Sequence, residues 1–431
     1  MNVEKTNNTK EKVQQLQRKL YQSAKINSGR RYHALYDKVY QKDVLYQGWQ
    51  LVRANQGSAG IDKQTIEDIE FYGVEKLIAE IQEDLMQGKY KPQPVRRVYI
   101  PKANGKERPL GIPAVKDRIV QTATKIVIEP IFEADFKDCS YGFRPKRNAH
   151  QALENIRKAC NNKGMYVLEA DIKGYFDHIN HKKLIMLVEK RISDRRVVKL
   201  IRKWLEAGVM ENGEVETSYI GSPQGGVISP LLANIYLDYL DTIWERHYGH
   251  LGKLIRYADD FVIVCKNHKN VSHSYKAIKL IMAKLELDLS MEKTRIVNLW
   301  EGKDGFDFLG YHNRKVKLKM KSGAQYYALE QWISKNAISK VRDKVKETLK
   351  DATLYQDLEI VIKKLNRKID GWRNYYGKSP IRVLLRIDRY ILKRLVYWYN
   401  RKHQSKRKRK DYGRLMIKFK EIGLKRVAFA S

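Results

Sequence analysis

Three cysteines in 431 residues, Cys139, Cys160 and Cys265, stand far apart and form no Cys-x-x-Cys pair. Neither a zinc module nor a disulfide framework can organise such a chain, and a reducing compartment fits it. Long apolar runs are also missing: none approaches a membrane span, and the opening MNVEKTNNTKEKVQQLQRKL lacks a signal-peptide core. A soluble, intracellular protein with no membrane partner is expected. No internal repeat is present. Acidic residues are scarce beside basic ones, 49 against 85, which leaves a net charge of +36. That exceeds what solubility requires and makes a field suited to a polyanion, nucleic acid first. The excess is uneven, since residues 331–431 hold 29 Lys/Arg against 9 Asp/Glu, which marks a separate binding region.

What is there is enough chain for two or three domains with a sizeable core. Residues 1–40 are polar and helix-forming, and 44–56 predict a helix that ends in the Gly-rich turn 57–62. PVRRVYIPKANGKERPLGIP (94–113) predicts a hairpin that turns at Asn104-Gly105 and carries Lys102 and Arg108. Helices are expected over 114–135 and 147–160, then a strand in MYVLEADIKGYFDHI (165–179) that breaks after Ile172. In period two, Tyr166, Leu168, Ala170 and Ile172 share one face, and Val167, Glu169 and Asp171 share the other. Helices follow over 181–207, then the loop GSPQGGVISP (221–230), with Ser229 as N-cap and Pro230 as first helical residue of the next helix. KLIRY and FVIVC make two short strands hinged at Ala258-Asp259-Asp260, so the carboxylates sit at a hairpin tip. A helix over 272–286 and the segments 292–299 and 306–311 close this mixed section. Helices interleaved with basic residues are expected from there on.

Carboxylates at strand ends suit magnesium, which takes one or two of them and completes its octahedron with water and phosphate oxygens. Asp171 with Asp259 and Asp260 could hold two ions about 3.5–4 Å apart and so clamp an in-line phosphoryl transfer. An Asp-Asp pair at a hairpin tip is common turn chemistry, and the residues by themselves favour that plainer reading. A P-loop motor is excluded, because the one Gly-Lys-Ser, Gly377 to Ser379, has Trp372 where the first P-loop glycine belongs.

Taken in order, the basic hairpin, DIKGYFD, SPQGGVISPLLAN, YADDFVIV, EKTRIV and FLGY resemble the reverse transcriptases encoded by group II introns, also called maturases. The resemblance covers about residues 44–311, and GWRNYYGKSP (371–380) resembles the family's thumb, or X, region. It implies an α+β right-hand polymerase: fingers and a palm with an antiparallel sheet packed on helices, followed by an all-helical thumb. The implied segments are a basic, polar N-terminal helical region (1–43), fingers (44–165), palm (166–315), thumb (316–400) and a short basic C-terminal segment (401–431). It further implies an RNA-directed DNA polymerase that uses two Mg2+ ions, with Mn2+ as a substitute, and a splicing maturase that supports intron mobility. Its partners would be intron RNA, an RNA template, a DNA primer or target and deoxynucleoside triphosphates. A bacterial cytoplasm, or the organellar equivalent, would be its location, with monomer and dimer both open.

Residue by residue, the resemblance makes Asp171 and Asp259 the principal metal ligands, with Asp260 beside them. Lys102 and Arg108 match the residues that hold the triphosphate; solvated charges on an exposed hairpin are the plainer alternative. Phe176 falls at the position that excludes a ribose 2′-hydroxyl, or else is core. Gln224, Gly225 and Gly226 match the loop beneath the nascent base pair, or else a capping turn. Lys293 falls near a family lysine that could protonate pyrophosphate, although a surface lysine is commoner, and it is left out of the catalytic set. In the thumb, Trp372, Arg373, Tyr375, Tyr376, Tyr397, Trp398, Tyr399, Arg401 and Lys402 mix aromatics with cations in a way that suits RNA. Arg373, Tyr375, Tyr376, Arg401 and Lys402 are the expected RNA contacts, against a bundle whose aromatics are core. The run RKHQSKRKRK (401–410) should be solvated or face phosphates.

Nothing resembles the family's paired-cysteine DNA-cutting domain. A metal-dependent nuclease could share the carboxylates, but it has no use for Phe176 or the Gln-Gly-Gly loop. Two further alternatives remain: an RNA-binding splicing cofactor whose polymerase is incidental, and a host-recruited enzyme of repair or defence.

Overall fold

The helix Val115–Glu133 is buried on nearly every side, from Val115 and Ile119 through Ile126 and Val127 to Ile131 and Phe132. A helix without a polar face is stable only when other elements surround it. The computed structural model describes residues 3–101, 107–211, 214–216, 225–320, 322–403 and 411–428. In it the helices Val3–Ile26 and Lys42–Ala54 pack against this central one.

The strands are β1 (Val95–Pro101), β2 (Glu107–Ile112), β3 (Tyr166–Asp171), β4 (Val209–Glu211), β5 (Glu214–Glu216), β6 (Gly252–Tyr257), β7 (Asp260–Cys265), β8 (Arg295–Asn298), β9 (Gly305–Phe308), β10 (Tyr311–Lys319) and β11 (Gln325–Ile333). They form three sheets, ordered β2-β1-β4-β5, β6-β7-β3-β8 and β11-β10-β9. The expected basic hairpin is β1–β2, antiparallel from Arg96↔Ile112 to Pro101↔Glu107; its turn at Asn104-Gly105 and Lys102 lie outside the described residues.

Contacts divide the chain into two units, Met1–Ala152 with Leu168–Ile296, and Leu153–Val167 with Val297–Ser431.

In the first unit the helix Arg195–Glu206 shows how sequence becomes packing. Val197, Val198, Leu200, Ile201, Trp204 and Leu205 recur at three- and four-residue steps and are buried, while Asp194 caps the start by accepting from Arg196 N. The helix expected over 272–286 begins earlier, at His268, because Asn267 caps it through Asn270 N. Ser229 is the first residue of the helix Ser229–Ile243 and Ile228 its cap, so Pro230 falls one position further in than expected.

In the second unit β10 and β11 pair antiparallel over nine residues, Tyr311↔Ile333 to Lys319↔Gln325. The helical stretch expected from 316 is therefore strand at first, and helix begins at Lys335. Ser334 caps that helix through Ala337 N. The helices Lys335–Thr348, Leu358–Tyr376, Ile381–Lys402 and Asp411–Glu421 share one apolar core around Val345, Val361, Leu365, Leu395, Trp398 and Phe419. The last helix, within the segment expected to be a basic tail, thus belongs to the bundle. Trp398 is 1 % exposed, and its indole N–H donates to Thr353 Oγ1 at 3.0 Å. Trp398→Ala is expected to lower stability by about 3–5 kcal/mol, read as a fall in the denaturant midpoint at constant slope.

Candidate active site

Asp171 ends β3, and the chain beyond it is held by backbone bonds from Lys173 N to Asp288 O at 2.9 Å and from Ser290 N to Asp171 O at 2.8 Å. A tight turn follows, with Lys293 N and Thr294 N both donating to Ser290 O. This turn brings Lys293 back over the strand end, where its Nζ meets Asp171 Oδ2 at 2.7 Å. Two residues earlier on the same face, Glu169 pairs with Arg295 at 2.7 Å. The period-two reading of β3 therefore puts the charges on the expected side, although Val167 on that face is buried.

β6 and β7 form the expected hairpin, closing at Tyr257↔Asp260 around the two-residue turn Ala258-Asp259. Ala258 has φ +57, and Asp259 is not in the left-handed region. A positive φ at the first central residue alone is the II′-like pattern that matches strand twist and usually takes glycine. β7 neighbours β3 in the sheet, so Asp260 reaches the end of β3. Its carboxyl is raised to about 7, by burial first, then by the hydrogen bond with Asp171 and the negative charge of Asp259 and Asp171. Because Asp260 keeps solvent access, the firmer causes are the carboxylates, which cannot all stay ionised at this distance without a cation. Lys293 is the cation in place, its own pKa raised by the hydrogen bond to Asp171.

Among the described residues no three His, Cys, Asp or Glu side chains are grouped to hold one metal ion. The close pair is Asp171 and Asp260, with the charge of Asp259 felt beside them. Since magnesium draws most of its shell from water and phosphates, this donor set fits it.

Phe176 lies in the short 3-10 turn Tyr175–His178. Tyr175 points inward, its hydroxyl donating to Ala233 O at 2.6 Å, and Phe176, 5.4 Å from it between ring centroids, is only half-buried. It is not a core phenylalanine. Gln224 lies outside the described residues. Gly225 has φ +125, and a Cβ there would collide with Gly111 O of β2, so its missing side chain serves close approach to the β1–β2 hairpin. Gly226 accepts from Ser229 N, and Val227 N donates to Gln121 Oε1. Arg108 stands opposite Ile100 in the hairpin.

The expected RNA contacts divide. Arg373 donates twice to Arg426 O, at 2.9 and 2.7 Å, and faces Asp370 at 3.6 Å. The Tyr375 hydroxyl donates to Leu309 O, the Tyr311 hydroxyl donates to Tyr375 O, and the Tyr376 ring packs 5.5 Å from Tyr311. These three take part in the unit's own packing. Arg401 pairs with Asp351 at 2.7 Å, and Lys402 donates to Gln356 O and lies over the Trp398 ring. Both are already partnered. The stripe that does face solvent was not singled out in the sequence: Arg382, Arg386, Arg389 and Lys393 are exposed on the helix Ile381–Lys402 at steps of four, three and four. Helical spacing alone could have found it.

A family model described as "Reverse transcriptase (RNA-dependent DNA polymerase)" matches residues 100–313, and one described as "Group II intron, maturase-specific domain" matches 338–416. Protein YkfC of Escherichia coli is 35 % identical over 346 residues, 69 % of this chain and 87 % of that protein. The chain belongs to the group II intron reverse transcriptase family. It is an RNA-directed DNA polymerase with a maturase-specific domain, of mixed helix and sheet, and such reverse transcriptases generally use divalent metal ions and nucleic acid partners. Group II intron-encoded protein LtrA of Lactococcus lactis is also 35 % identical, over 65 % of this reverse transcriptase and 56 % of LtrA. The reverse transcriptase thus spans little more than half of that relative. A telomerase from Candida albicans aligns at a TM-score of 0.40 and 14 % identity over 81 % of this chain and 65 % of its own, too loose a likeness to argue from.

Proposed function

We propose that this reverse transcriptase copies primed RNA into DNA at Asp171, Asp259 and Asp260 with two Mg2+ ions, Mn2+ substituting, and that it binds intron RNA as a splicing maturase supporting mobility. The observation that carries the reading is the convergence of carboxylates from the end of β3 and the β6–β7 turn, with Asp260 hydrogen-bonded to Asp171. When bound, the ions would lower the pKa of the attacking 3′-hydroxyl and neutralise the leaving pyrophosphate. The chain's own part is to hold the carboxylates at strand ends and to keep Lys293 charged beside Asp171. Lys102 and Arg108 would grip the triphosphate; Arg suits this because its planar fork matches phosphate oxygens in pairs. The loop of Gln224, Gly225 and Gly226 would lie under the new base pair. The fingers would be residues 44–165, the palm 166–315 and the thumb 316–400, flanked by the basic segments 1–43 and 401–431.

Among the described residues no helix is long and apolar enough to cross a membrane, and the bacterial relatives support a cytoplasmic location. The exposed cations Arg386, Arg389 and Lys393 support intron RNA, template and DNA primer as partners. The deciding experiment is a paired assay, splicing of the cognate intron and extension of a primed RNA template by the same preparation. Extension without tighter binding to structured intron RNA than to random RNA would remove the maturase half and leave a polymerase recruited by its host.

Phe176 gives an independent check on the nucleotide site. A half-buried ring five residues past Asp171 is available to close on a sugar, so Phe176→Ala should raise incorporation of ribonucleotides relative to deoxyribonucleotides. An unchanged ratio in a folded variant would make Phe176 a packing residue.

A further inference from the structure

We infer that Arg256 is a positioning residue that holds the catalytic turn, acting with Asp241, Asn234 and Gly142. Arg256 is the penultimate residue of β6 and is 0 % exposed. All three of its guanidinium nitrogens donate. Nε donates to Asp241 Oδ1 at 2.9 Å and one terminal nitrogen to Asp241 Oδ2, while the other donates to Asn234 Oδ1 at 3.1 Å and to Ala258 O at 2.9 Å. The last bond ends on the backbone of the residue that precedes Asp259 and carries the left-handed φ of the turn.

A second arm reaches the same residue at its backbone nitrogen. Asn234 Nδ2 donates to Gly142 O at 2.9 Å, and Gly142 lies so close that a Cβ on it would collide with Ala258 N. Around it, Arg256 N donates to Cys139 O at 2.7 Å, Tyr141 N donates to Arg256 O at 2.9 Å, and the Phe143 ring lies 6.3 Å from that of Tyr257. The turn is therefore bracketed by segment 139–143 and by the buried pair Arg256–Asp241.

A buried ion pair is a poor source of stability, because desolvation offsets most of the attraction. What it supplies is geometry: a planar fork locked by one carboxylate can present its remaining N–H groups in only one direction. A left-handed alanine persists only where its surroundings over-determine it, and these contacts do so. Asp259 and Asp260 inherit their positions from this turn.

The inference rests on the proposed polymerase site, so its test includes a measurement that needs no catalysis: amide hydrogen exchange of a peptide spanning residues 254–262, in metal-free protein. Arg256→Lys keeps the charge opposite Asp241 but cannot reach three acceptors at once. Faster exchange confined to that peptide is expected, with unchanged affinity for primed template and a fall in kcat of roughly 100-fold, the scale of a misplacement near 1 Å. A folded Arg256→Lys with wild-type exchange, or with lost affinity and intact kcat, overturns the inference. Should that variant fail to fold, Gly142→Ala decides, because it leaves the ion pair whole and presses on the turn itself, at Ala258 N and the adjoining Tyr257: faster local exchange and lower kcat are expected, and wild-type values of both overturn it. If the wild-type protein extends no primer, the polymerase reading falls by itself and the exchange result alone decides whether Arg256 holds the turn.

Discussion

Asp171→Ala and Asp259→Ala are each expected to cut extension of a primed RNA template by roughly a thousandfold or more while leaving RNA affinity nearly unchanged. The size follows from what is removed. Charge developing on phosphate in a transition state is stabilised electrostatically, and losing even one preorganised donor costs on the order of 100- to 1000-fold; losing a ligand that holds a divalent ion should cost at least as much. Affinity should survive because RNA is held mainly by cations and aromatic stacking, and none of the three aspartates is either. The measurement is single-turnover extension beside equilibrium RNA binding, with the fold checked by thermal unfolding. Wild-type extension by either variant would refute the assignment. Asp259→Ala with Asp260→Ala should also leave intron splicing largely intact, since docking on folded RNA makes no demand on the carboxylates.

Replacing Arg386, Arg389 and Lys393 together by Gln should do the reverse, weakening RNA binding, splicing and cDNA synthesis in step. These side chains are exposed along one stripe of the helix Ile381–Lys402, whose opposite face carries Leu384, Ile387, Ile391, Leu395 and Trp398 into the core. Their loss should therefore spare the fold. At about 1 kcal/mol per lost phosphate contact the three amount to roughly 100-fold in affinity. Each released counterion also leaves a mark: the slope of log affinity against log salt should become shallower by about 0.7 for each single-strand contact removed, about 2 in all. Titration of RNA binding across salt concentrations reads both quantities. Unchanged affinity and slope would mean that RNA does not touch this face.

The aspartates were legible because two carboxylates in front of an apolar run are expensive unless something compensates, and Asp171 shared a strand face with another acid. Arg256 was not. One arginine at the end of KLIRY looks like a strand edge meeting solvent, and only the fold discloses that Asp241 and Asn234, on the helix Ser229–Ile243, wait beneath it. Lys293 was seen as a motif residue but set aside on frequency; the turn at Ser290 that aims it at Asp171 is tertiary information. The strands β10 and β11 were missed for a different reason. Lys315, Val316, Lys317, Leu318 and Lys319 do alternate with period two, but a short run so rich in lysine also resembles a solvated helix face. Lys315 in fact turns inward, with its Nζ 3.3 Å from Met165 Sδ. For Arg373, Tyr375 and Tyr376, composition pointed to RNA, while their hydrogen bonds to backbone carbonyls and their ring contacts belong to the second unit's own packing.

That unit is assembled from two stretches of chain, Leu153–Val167 and Val297–Ser431. The early stretch depends on the late one: Leu329 N donates to Asn161 Oδ1 at 2.8 Å, the Gln331 amide donates to Leu153 O at 2.9 Å, and Leu299 N donates to Met165 O at 2.8 Å. On a ribosome adding about 5–20 residues per second, Ile156 and Cys160, fully buried in the finished protein, leave the tunnel on the order of 10 seconds before Val297–Ser431, the rest of their unit, is made. During that interval the nascent chain presents them to any chaperone within reach. A message truncated after residue 296 would make the exposure permanent, so its product should be a substrate for proteolysis rather than a smaller polymerase.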